Sequence, residues 1–396
     1  MKSRVIIFNS FDCGSTGVLC GYLSKHTDKH FSRPLFVSSN KSNQGYADYY
    51  VSDHCSKLYR FIESKLAKLK NGYGFVGGYI TKKILNYVYK TTDHTKERLV
   101  FSIHQIESSL FNLAIILAFA KKYNIRVFIT LHDCWLFTGK CPYYDINDCH
   151  NWQVCCQNCP HHLEFPATSI KNLKKSFLKK IDTILRYKDF ITLICPSNWI
   201  AGELEKSLLS NCKRVVINNG IEISDENIMS EKNKKIRLIS AAYPWTRRKG
   251  LDYLQYLSNN LDYKKYDLIV VGVDSNNGFS PETTLFSRLE REKLLLLLDN
   301  CDYFLNPSLE DNFPTVNIEA LSRGLKIISF KTGGSSEIYD NKTGACVLNK
   351  DKNSLLETIN NLGPNDSKDL CRKRAKMLFS KDIFTSRYYN LFYEDK

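Results

Sequence analysis

Short apolar runs that alternate with helix-like stretches constrain the fold of this chain more than any other feature of its sequence. Such runs are typical of strands that are buried on both faces, and the stretches between them have the period of about 3.6 residues that helices show. The alternation predicts α/β domains in which helices cover both sides of a parallel sheet. The predicted strands are Val5–Phe8, Leu99–Ile103, Arg126–Leu131, Phe190–Cys195, Arg214–Ile217, Ile236–Ser240, Leu268–Gly272, Tyr303–Leu305 and Lys326–Phe330.

A polar stretch separates two such series of strands and helices. Residues Asn218–Lys235 are rich in Asn, Glu and Lys and lack apolar periodicity, as is typical of a linker. We predict two doubly wound, Rossmann-like domains, residues 1–222 and 233–378, which face a central cleft and bind ligands at the carboxyl ends of their strands. The predicted helices are Leu110–Lys122, Leu173–Arg186, Ile200–Leu209, Gly250–Leu257, Leu285–Leu298, Pro314–Arg323, Ser354–Asn361 and Lys368–Phe379, followed by a last helix within residues 380–396.

Composition and charge narrow the class of protein. With 43% hydrophobic and 24% charged residues, the chain is too apolar to be disordered. Lys and Arg exceed Asp and Glu by 15, and 13 of these excess charges lie in residues 1–222. We therefore expect the first domain to meet a polyanion or an anionic membrane surface. No recognition module for nucleic acid accompanies the charge, so we expect no nucleic-acid partner.

The chain is expected to be cytoplasmic. No apolar run approaches the roughly 20 residues that cross a bilayer, and Val5–Phe8 is too short for the core of a signal peptide. The 14 cysteines are then expected to be mostly reduced thiols. Two basic amphipathic stretches, Lys57–Lys70 and Lys171–Lys188, fit either outer helices in solvent or peripheral binding to the anionic inner face of the cytoplasmic membrane.

An acidic loop that leads into a helix is the most informative stretch of the second domain. Pro314 suits the first turn of that helix. Exposed backbone amides in this turn, at Thr315, Val316 and Asn317, predict a site for a diphosphate. Glu319, about one and a half turns into the helix, is placed to accept hydrogen bonds from both hydroxyls of a ribose.

A basic turn follows the first predicted strand of the second domain. Arg247, Arg248 and Lys249 stand there in succession, directly before Gly250 and a predicted helix. Cations beside the free amides of a helix start are a suitable grip for phosphate. The turn and the acidic loop together therefore indicate a site for a nucleoside diphosphate.

This combination resembles family 4 glycosyltransferases, which have the GT-B fold. The stretch Pro307–Gly324 is similar to the E-x7-E signature of that family. Either Glu310 or Asp311 can hold a second polyol such as a sugar ring, and the x7 spacing back from Glu319 favours Asp311 for the first acidic position. The family's glycine turn and following strand correspond to Thr332, Gly333, Gly334 and Gly344.

The resemblance implies roles for residues of both domains. Lys249 would contact the donor diphosphate, with Arg247 or Arg248 as the second cation. His132 would lie beside the reacting donor sugar, and His104, which ends another strand, would line the acceptor side. The loop that borders the acceptor and the donor phosphates would consist of Gly14, Ser15, Thr16 and Gly17.

The implied reaction is the transfer of a sugar, with retained anomeric configuration, from a UDP- or GDP-sugar to a lipid-linked or oligosaccharide acceptor. Lys249 and helix amides would stabilise the leaving diphosphate, so no metal and no cofactor is expected to be required. The last helix, within residues 380–396, would cross back to the first domain. Two alternatives remain: a sugar-nucleotide epimerase of the same fold, and a non-catalytic assembly subunit that binds glycan or membrane.

A cysteine-rich insertion at about residues 134–160 resembles one found in a capsule and colanic-acid-type subgroup of these enzymes. This likeness indicates a role in the biosynthesis of capsule or another exopolysaccharide. Four of the cysteines have the spacing C-x7-C-x6-C-x2-C, which fits a structural zinc site, free, packed thiols or redox chemistry. These four are Cys141, Cys149, Cys156 and Cys159.

Overall fold

The computed structural model describes residues 1–42, 45–107, 110–224, 234–276 and 278–394. The chain divides into two compact units. The first unit comprises Met1–Asn218 and the chain from Phe384 onward, and the second comprises Asn219–Ile383. Each unit is built on a parallel sheet of its own.

The sheet of the first unit is wound outward in both directions from its first strand. Its strands follow the order β3-β2-β1-β4-β5-β6-β7 and all neighbours are parallel. Because successive side chains of a strand point to opposite faces, the strand at residues 2–11 contributes to two cores. Ile6 and Phe8 belong to one apolar cluster, and Val5 and Ile7 to another. The strands are β1 (Lys2–Phe11), β2 (Leu35–Asn40), β3 (Tyr49–Tyr50), β4 (Glu97–Ile103), β5 (Arg126–Thr130), β6 (Ile191–Cys195) and β7 (Arg214–Val216).

The sheet of the second unit follows the same plan. Its order is β10-β9-β8-β11-β12-β13, again with parallel neighbours. Apolar clusters cover both faces, one containing Ile239 and Phe304 and the other Leu238 and Leu305. The strands are β8 (Ile236–Ala241), β9 (Tyr266–Val271), β10 (Thr284–Phe286), β11 (Tyr303–Asn306), β12 (Lys326–Phe330) and β13 (Gly344–Val347).

Helices connect the strands and cover the sheets. Among the described helices, none is both long enough and apolar enough to span a membrane. The helices are α1 (Gly14–Lys25), α2 (Lys57–Lys70), α3 (Gly78–Lys90), α4 (Leu113–Lys122), α5 (Lys174–Arg186), α6 (Asn198–Glu205), α7 (Leu251–Asn260), α8 (Arg291–Asp299), α9 (Thr315–Ser322), α10 (Lys352–Asn360), α11 (Lys368–Phe379) and α12 (Lys381–Glu394).

The predicted α/β class is confirmed, but one predicted helix is wrong at its start. The stretch Leu285–Leu298 does not begin as a helix, because Leu285 pairs with Val270 in the short parallel strand β10. The helix α8 begins only at Arg291. A strand of three residues is too short to show alternation, and the leucines further along extend the apparent helical period into it.

Part of the predicted linker Asn218–Lys235 lies outside the described residues, namely positions 225–233. Of the described residues before that gap, those from Asn219 onward belong to the second unit. The amide of Ile221 donates to the carbonyl of Phe379 at 2.9 Å, and the amide of Lys381 donates back to the carbonyl of Ile221 at 2.6 Å. These bonds fix the point from which the chain enters α12.

The helix α12 packs on the sheet of the first unit from Phe384 onward. Its buried aromatic side chains join the cluster that contains Val5 and Ile7 of β1. The hydroxyl of Tyr388 lies 2.9 Å from that of Thr130 at the end of β5, and the hydroxyl of Tyr389 donates to the carbonyl of Leu23 at 2.8 Å. The last helix is thus part of the core of the unit that begins the chain.

Replacing the buried Tyr388 should test this packing. We expect Tyr388→Ala to destabilise the first unit by about 3–5 kcal/mol, the usual cost of removing a large buried aromatic side chain. Tyr388→Phe, which loses only the contact with Thr130, should cost about 1 kcal/mol. Hydrogen exchange of the β5 amides measures the effect within that unit. Tyr393→Ala, at a more exposed site of the same helix, is the control, and an equal loss in both alanine variants would contradict the expectation.

Candidate active site

In the second unit the basic turn and the acidic loop contact each other. The turn follows β8 and the loop follows β11, and these two strands are neighbours in the sheet. The Lys249 Nζ lies 2.6 Å from the Oδ2 of Asp311. The guanidinium of Arg248 donates to the backbone carbonyl of Glu310 at 2.7 Å and lies 3.9 Å from the same Asp311 oxygen. Two cations and one carboxylate are therefore held together at the end of these strands, and Arg247 belongs to the same short helical turn.

Two glycines permit this close approach. Gly250 has a φ of +77°, and a Cβ there would collide with the carbonyl oxygen of Pro307. Gly333 has a φ of +50°, and a Cβ there would collide with the carbonyl oxygen of Asp311. Any other residue would be strained at either position and would push the acidic loop away. Next to it, the amide of Gly334 donates to the carbonyl of Asn312 at 2.7 Å, so the glycine turn supports the acidic loop from the β12 side.

The first turn of α9 presents fewer amides than predicted. Thr315 and Val316 are half-buried, but Asn317 is fully buried and its amide donates to the carbonyl of Pro314 at 3.2 Å. The expectation of three exposed amides is therefore wrong for Asn317. Its side-chain oxygen accepts a hydrogen bond from the Nδ2 of Asn306 at 2.8 Å, which ties the helix start to the end of β11.

Glu319 of α9 forms an ion pair that the sequence did not predict. Its Oε1 lies 3.2 Å from the Nη2 of Arg291, the first residue of α8. Burial raises the pKa of Glu319 above its usual value, and the guanidinium acts in the opposite direction. Arg291 does not belong to any motif recognised in the sequence. It reaches the Glu319 carboxylate only because α8 packs beside α9.

In the first unit His104 and His132 form a pair. They follow β4 and β5, which are neighbouring strands. The Nδ1 of His104 lies 2.8 Å from the Nε2 of His132, and the Nε2 of His104 lies 3.2 Å from the hydroxyl of Ser102. The ring of Tyr388 from α12 stacks behind His104, with 6.2 Å between the ring centroids. The pair is therefore held from the strand below and from the helix behind.

Both imidazoles are neutral near pH 7. Burial lowers the pKa of His104 well below its usual value, and the neighbouring His132 lowers it further. Burial lowers the pKa of His132 to about 4. Since each neutral ring carries one proton, the contact between Nδ1 and Nε2 couples the two tautomers: the ring that donates there must accept at its other nitrogen.

The predicted glycine loop joins the same network. The helix α1 begins at Gly14, and a Cβ at Gly17 would collide with the carbonyl of Asp12, while Ser15 is exposed. The hydroxyl of Thr16 donates to the Oε1 of Gln105 at 3.1 Å. The side-chain Nε2 of Gln105 in turn donates to the Oδ2 of Asp133 at 3.3 Å. Sequence reasoning missed Gln105 and Asp133, although each directly follows one of the strand-end histidines.

The cysteine-rich insertion forms a packed layer on the first unit. All of its cysteines are free thiols, and Trp152 packs between Phe137 and Tyr144 at ring distances of 5.1 and 5.0 Å. Burial raises the pKa of Cys141 to about 11 and that of Cys156 to about 12. Among the described residues, no three His, Cys, Asp or Glu side chains are grouped so as to hold a metal ion.

Solved structures of other proteins share this fold. Sucrose-phosphate synthase from Thermosynechococcus elongatus matches with a TM-score of 0.68 at 13% identity, over 99% of each chain. HepE from Anabaena in complex with UDP matches with a TM-score of 0.64 at 12% identity, over 100% of each chain. HepE has also been solved in complex with UDP-glucose. At these identities the likeness establishes the GT-B fold and no more.

The sequence of the second unit identifies a family in addition to the fold. Residues 223–377 match the family model described as glycosyl transferases group 1. The chain has the GT-B fold, and its second unit is a group 1 glycosyltransferase domain. It is similar to the putative colanic acid biosynthesis glycosyl transferase WcaC of Escherichia coli (strain K12), with 24% identity over 295 residues, which is 69% of each chain.

The histidine pair predicts a pH dependence of stability. Between about pH 6.5 and pH 4 a histidine like His132 binds a proton in the unfolded chain but not in the folded protein, so stability falls as the pH falls through this window. We expect the thermal midpoint of the first unit to drop between pH 7 and pH 5, and the drop to be smaller in His132→Gln. His150→Gln, at an exposed histidine, is the control and should retain the full drop. Equal drops in His132→Gln and the parent would contradict this assignment.

Proposed function

We propose that this glycosyltransferase moves a sugar, with retained anomeric configuration, from a UDP- or GDP-sugar to a lipid-linked or oligosaccharide acceptor in cell-surface polysaccharide biosynthesis. The observation that carries the proposal is the grouping of Lys249, Asp311 and the start of α9 at the carboxyl ends of β8 and β11. HepE, which has the same fold, binds UDP and UDP-glucose. The printed name of WcaC supports the polysaccharide role.

The diphosphate of the donor is assigned to Lys249, Arg248 and the amides of Thr315 and Val316. The two cations and the Asp311 carboxylate together carry a net charge of +1, which suits an anion whose charge grows as the sugar leaves. Asp311 also fixes the Lys249 ammonium before the donor arrives. Such preorganised charge stabilises the leaving group without a metal ion.

The carboxylates of the second unit receive different roles. Glu319 is assigned to the ribose hydroxyls, with Arg291 holding the carboxylate in place. The Oδ2 of Asp311 already accepts from Lys249, and its Oδ1 accepts from the amide of Asn312 at 3.1 Å. We therefore assign to Asp311 the positioning of Lys249, and to either Glu310 or Asp311 the hydroxyls of the transferred sugar. Gly333 and Gly334 keep this loop in place.

The proposed step forms no covalent bond to the protein. The bond between the anomeric carbon and the diphosphate oxygen breaks, and its electron pair stays on the diphosphate. The acceptor oxygen attacks from the same face, and its proton passes to the departing phosphate oxygen. His132, as a neutral imidazole, is assigned a hydrogen bond to the transferred sugar. Nothing is oxidised or reduced.

The acceptor is assigned to the first unit. The excess of positive charge in residues 1–222 suits an acceptor that carries phosphate and is presented at an anionic membrane surface. Of the residues Gly14, Ser15, Thr16 and Gly17, the first two are exposed at the start of α1 and Gly17 is buried. The bond from Thr16 to Gln105 connects this turn to the residue that follows His104. A lipid-linked glycan meets these conditions.

Substitutions at the donor site should separate its roles. Glu319→Ala should abolish sugar transfer, because the ribose loses its acceptor and Arg291 loses its partner. Lys249→Ala should lower kcat/KM by about 10²–10³, the usual loss when one stabilising donor is removed from a charged transition state. Lys264→Ala, an exposed lysine of the same unit, is the matched control and should leave the rate unchanged. Transfer by Glu319→Ala at the parental rate would show that the site is assigned wrongly.

Nucleotide binding should identify the base of the donor nucleotide-sugar. We expect one of UDP, GDP, ADP or CMP to raise the thermal midpoint of the second unit. At about 100 times its dissociation constant a ligand adds about 2.7 kcal/mol, which corresponds to about 5–10 °C for a unit of this size. The shift should be smaller in Lys249→Ala. The absence of any shift would favour the non-catalytic subunit, and conversion of a nucleotide-sugar without an acceptor would favour the epimerase.

A further inference from the structure

The helix α2 carries four of its six large apolar side chains on the outside. Ala67 is its one buried residue. Four large apolar side chains are between 47% and 67% exposed, namely Leu58, Phe61, Ile62 and Leu69. At about 100° per residue these four fall within an arc of about 100°, with Ala67 on the opposite side of the helix. This arrangement is the reverse of an ordinary surface helix, whose apolar stripe faces the core.

The same face is strongly basic. The helix contains five Lys and Arg residues and one acidic residue, Glu63, whose Oε2 accepts from the amide of Gly77 at 3.0 Å. Lys65 lies within the apolar arc, with its Nζ 5.3 Å from the centre of the Phe61 ring. By the same angular arithmetic, Lys57 and Lys68 lie along one edge of the arc. The apolar side chains are thus flanked along one edge by long, flexible cations, and Lys65 lies among them.

The second basic helix, α5, is different. Its apolar side chains Phe177, Ile181 and Ile184 are buried, and even its Lys180 is buried, with Nζ 4.2 Å from the centre of the Trp135 ring. The sequence gives Lys57–Lys70 and Lys171–Lys188 the same two interpretations. The structure distinguishes them, because the apolar face of α5 is already covered and that of α2 is not.

Two further features extend the exposed face beyond the end of α2. The carbonyl of Lys68 accepts hydrogen bonds from the hydroxyl of Thr168 at 2.7 Å and from the amide of Ser169 at 3.0 Å. The segment just before these residues exposes Leu163 and Phe165 at 69% and 70%. A cavity of about 610 Å³ at the end of α2 is lined by the three lysines Lys70, Lys175 and Lys179, by one carboxylate, that of Glu63, and by uncharged residues that include Phe75.

We propose that the exposed face of α2 docks on an anionic lipid bilayer. Helices that lie in a membrane interface combine Phe and Leu on one side with flanking Lys, and each lysine near an anionic headgroup strengthens binding. Protein interfaces are instead depleted of Lys. The inference deepens the proposed function and takes its biological meaning from it, since a lipid-linked acceptor is presented at such a surface. The docking itself is a separate property of the first unit.

Vesicle flotation tests the proposal with the full chain. We expect the protein to bind vesicles of phosphatidylcholine that contain about 30% phosphatidylglycerol, to bind pure phosphatidylcholine at least tenfold less, and to be released by salt. The double variant Phe61→Ser, Ile62→Ser should lose at least tenfold in binding. Its matched control, Leu348→Ser with Met377→Ser, changes two apolar side chains of the second unit that are even more exposed and should bind like the parent.

A second pair of variants tests the charge. Lys65→Gln with Lys68→Gln should weaken binding to the anionic vesicles, whereas Lys264→Gln with Lys342→Gln should not. Equal binding by the α2 variants and their controls would overturn the proposal. So would a parent protein that binds no vesicles, or one that forms a dimer in light scattering which Phe61→Ser, Ile62→Ser dissociates. Thermal shifts induced by nucleotides are measured on the same variants. They test donor binding by the second unit independently of vesicle binding.

Discussion

The common direction of the strands is the constraint on which the rest of this structure depends. Because all neighbours in each sheet are parallel, the carboxyl ends of adjacent strands lie side by side. The segments that follow β8 and β11 therefore meet, and so do those that follow β4 and β5. Residues far apart in the chain, such as Lys249 and Asp311, become neighbours for this reason.

Close backbone approach converts this proximity into defined geometry. At Gly250 and Gly333 a side chain would collide with a carbonyl oxygen, so the loops interlock only because hydrogen replaces Cβ at both points. The result is a cation whose position is set by a carboxylate rather than by solvent. In the first unit burial has the complementary effect, because it keeps His104 and His132 neutral and lets them hydrogen-bond to each other. The sheet edge of the second unit thus holds charged side chains close together, whereas that of the first unit keeps its two histidines uncharged.

The sequence predicts the elements whose pattern is local. Long apolar strands such as β5 and β6, and the order of strand, basic turn and helix around Lys249, follow from periodicity and from turn residues. Features that depend on contacts between distant segments are not predicted. Arg291 reaches Glu319 only through helix packing, and Asn317 faces inward to bond Asn306 although its position in the first turn suggested exposure. The strand β2 is not predicted because its second half is polar, although Ser38 and Ser39 are buried there.

The packing of α12 has a consequence for how the protein is made. This helix supplies Tyr388, Tyr389 and Phe392 to the core of the first unit, but the ribosome synthesises it only after the whole second unit. The first unit therefore emerges with one face of its sheet lacking these side chains, and the part of that face that α12 packs against lacks its partner during translation of Asn219–Ile383. Domains ordinarily fold in the order in which they emerge. Here the unit that is translated first is completed last.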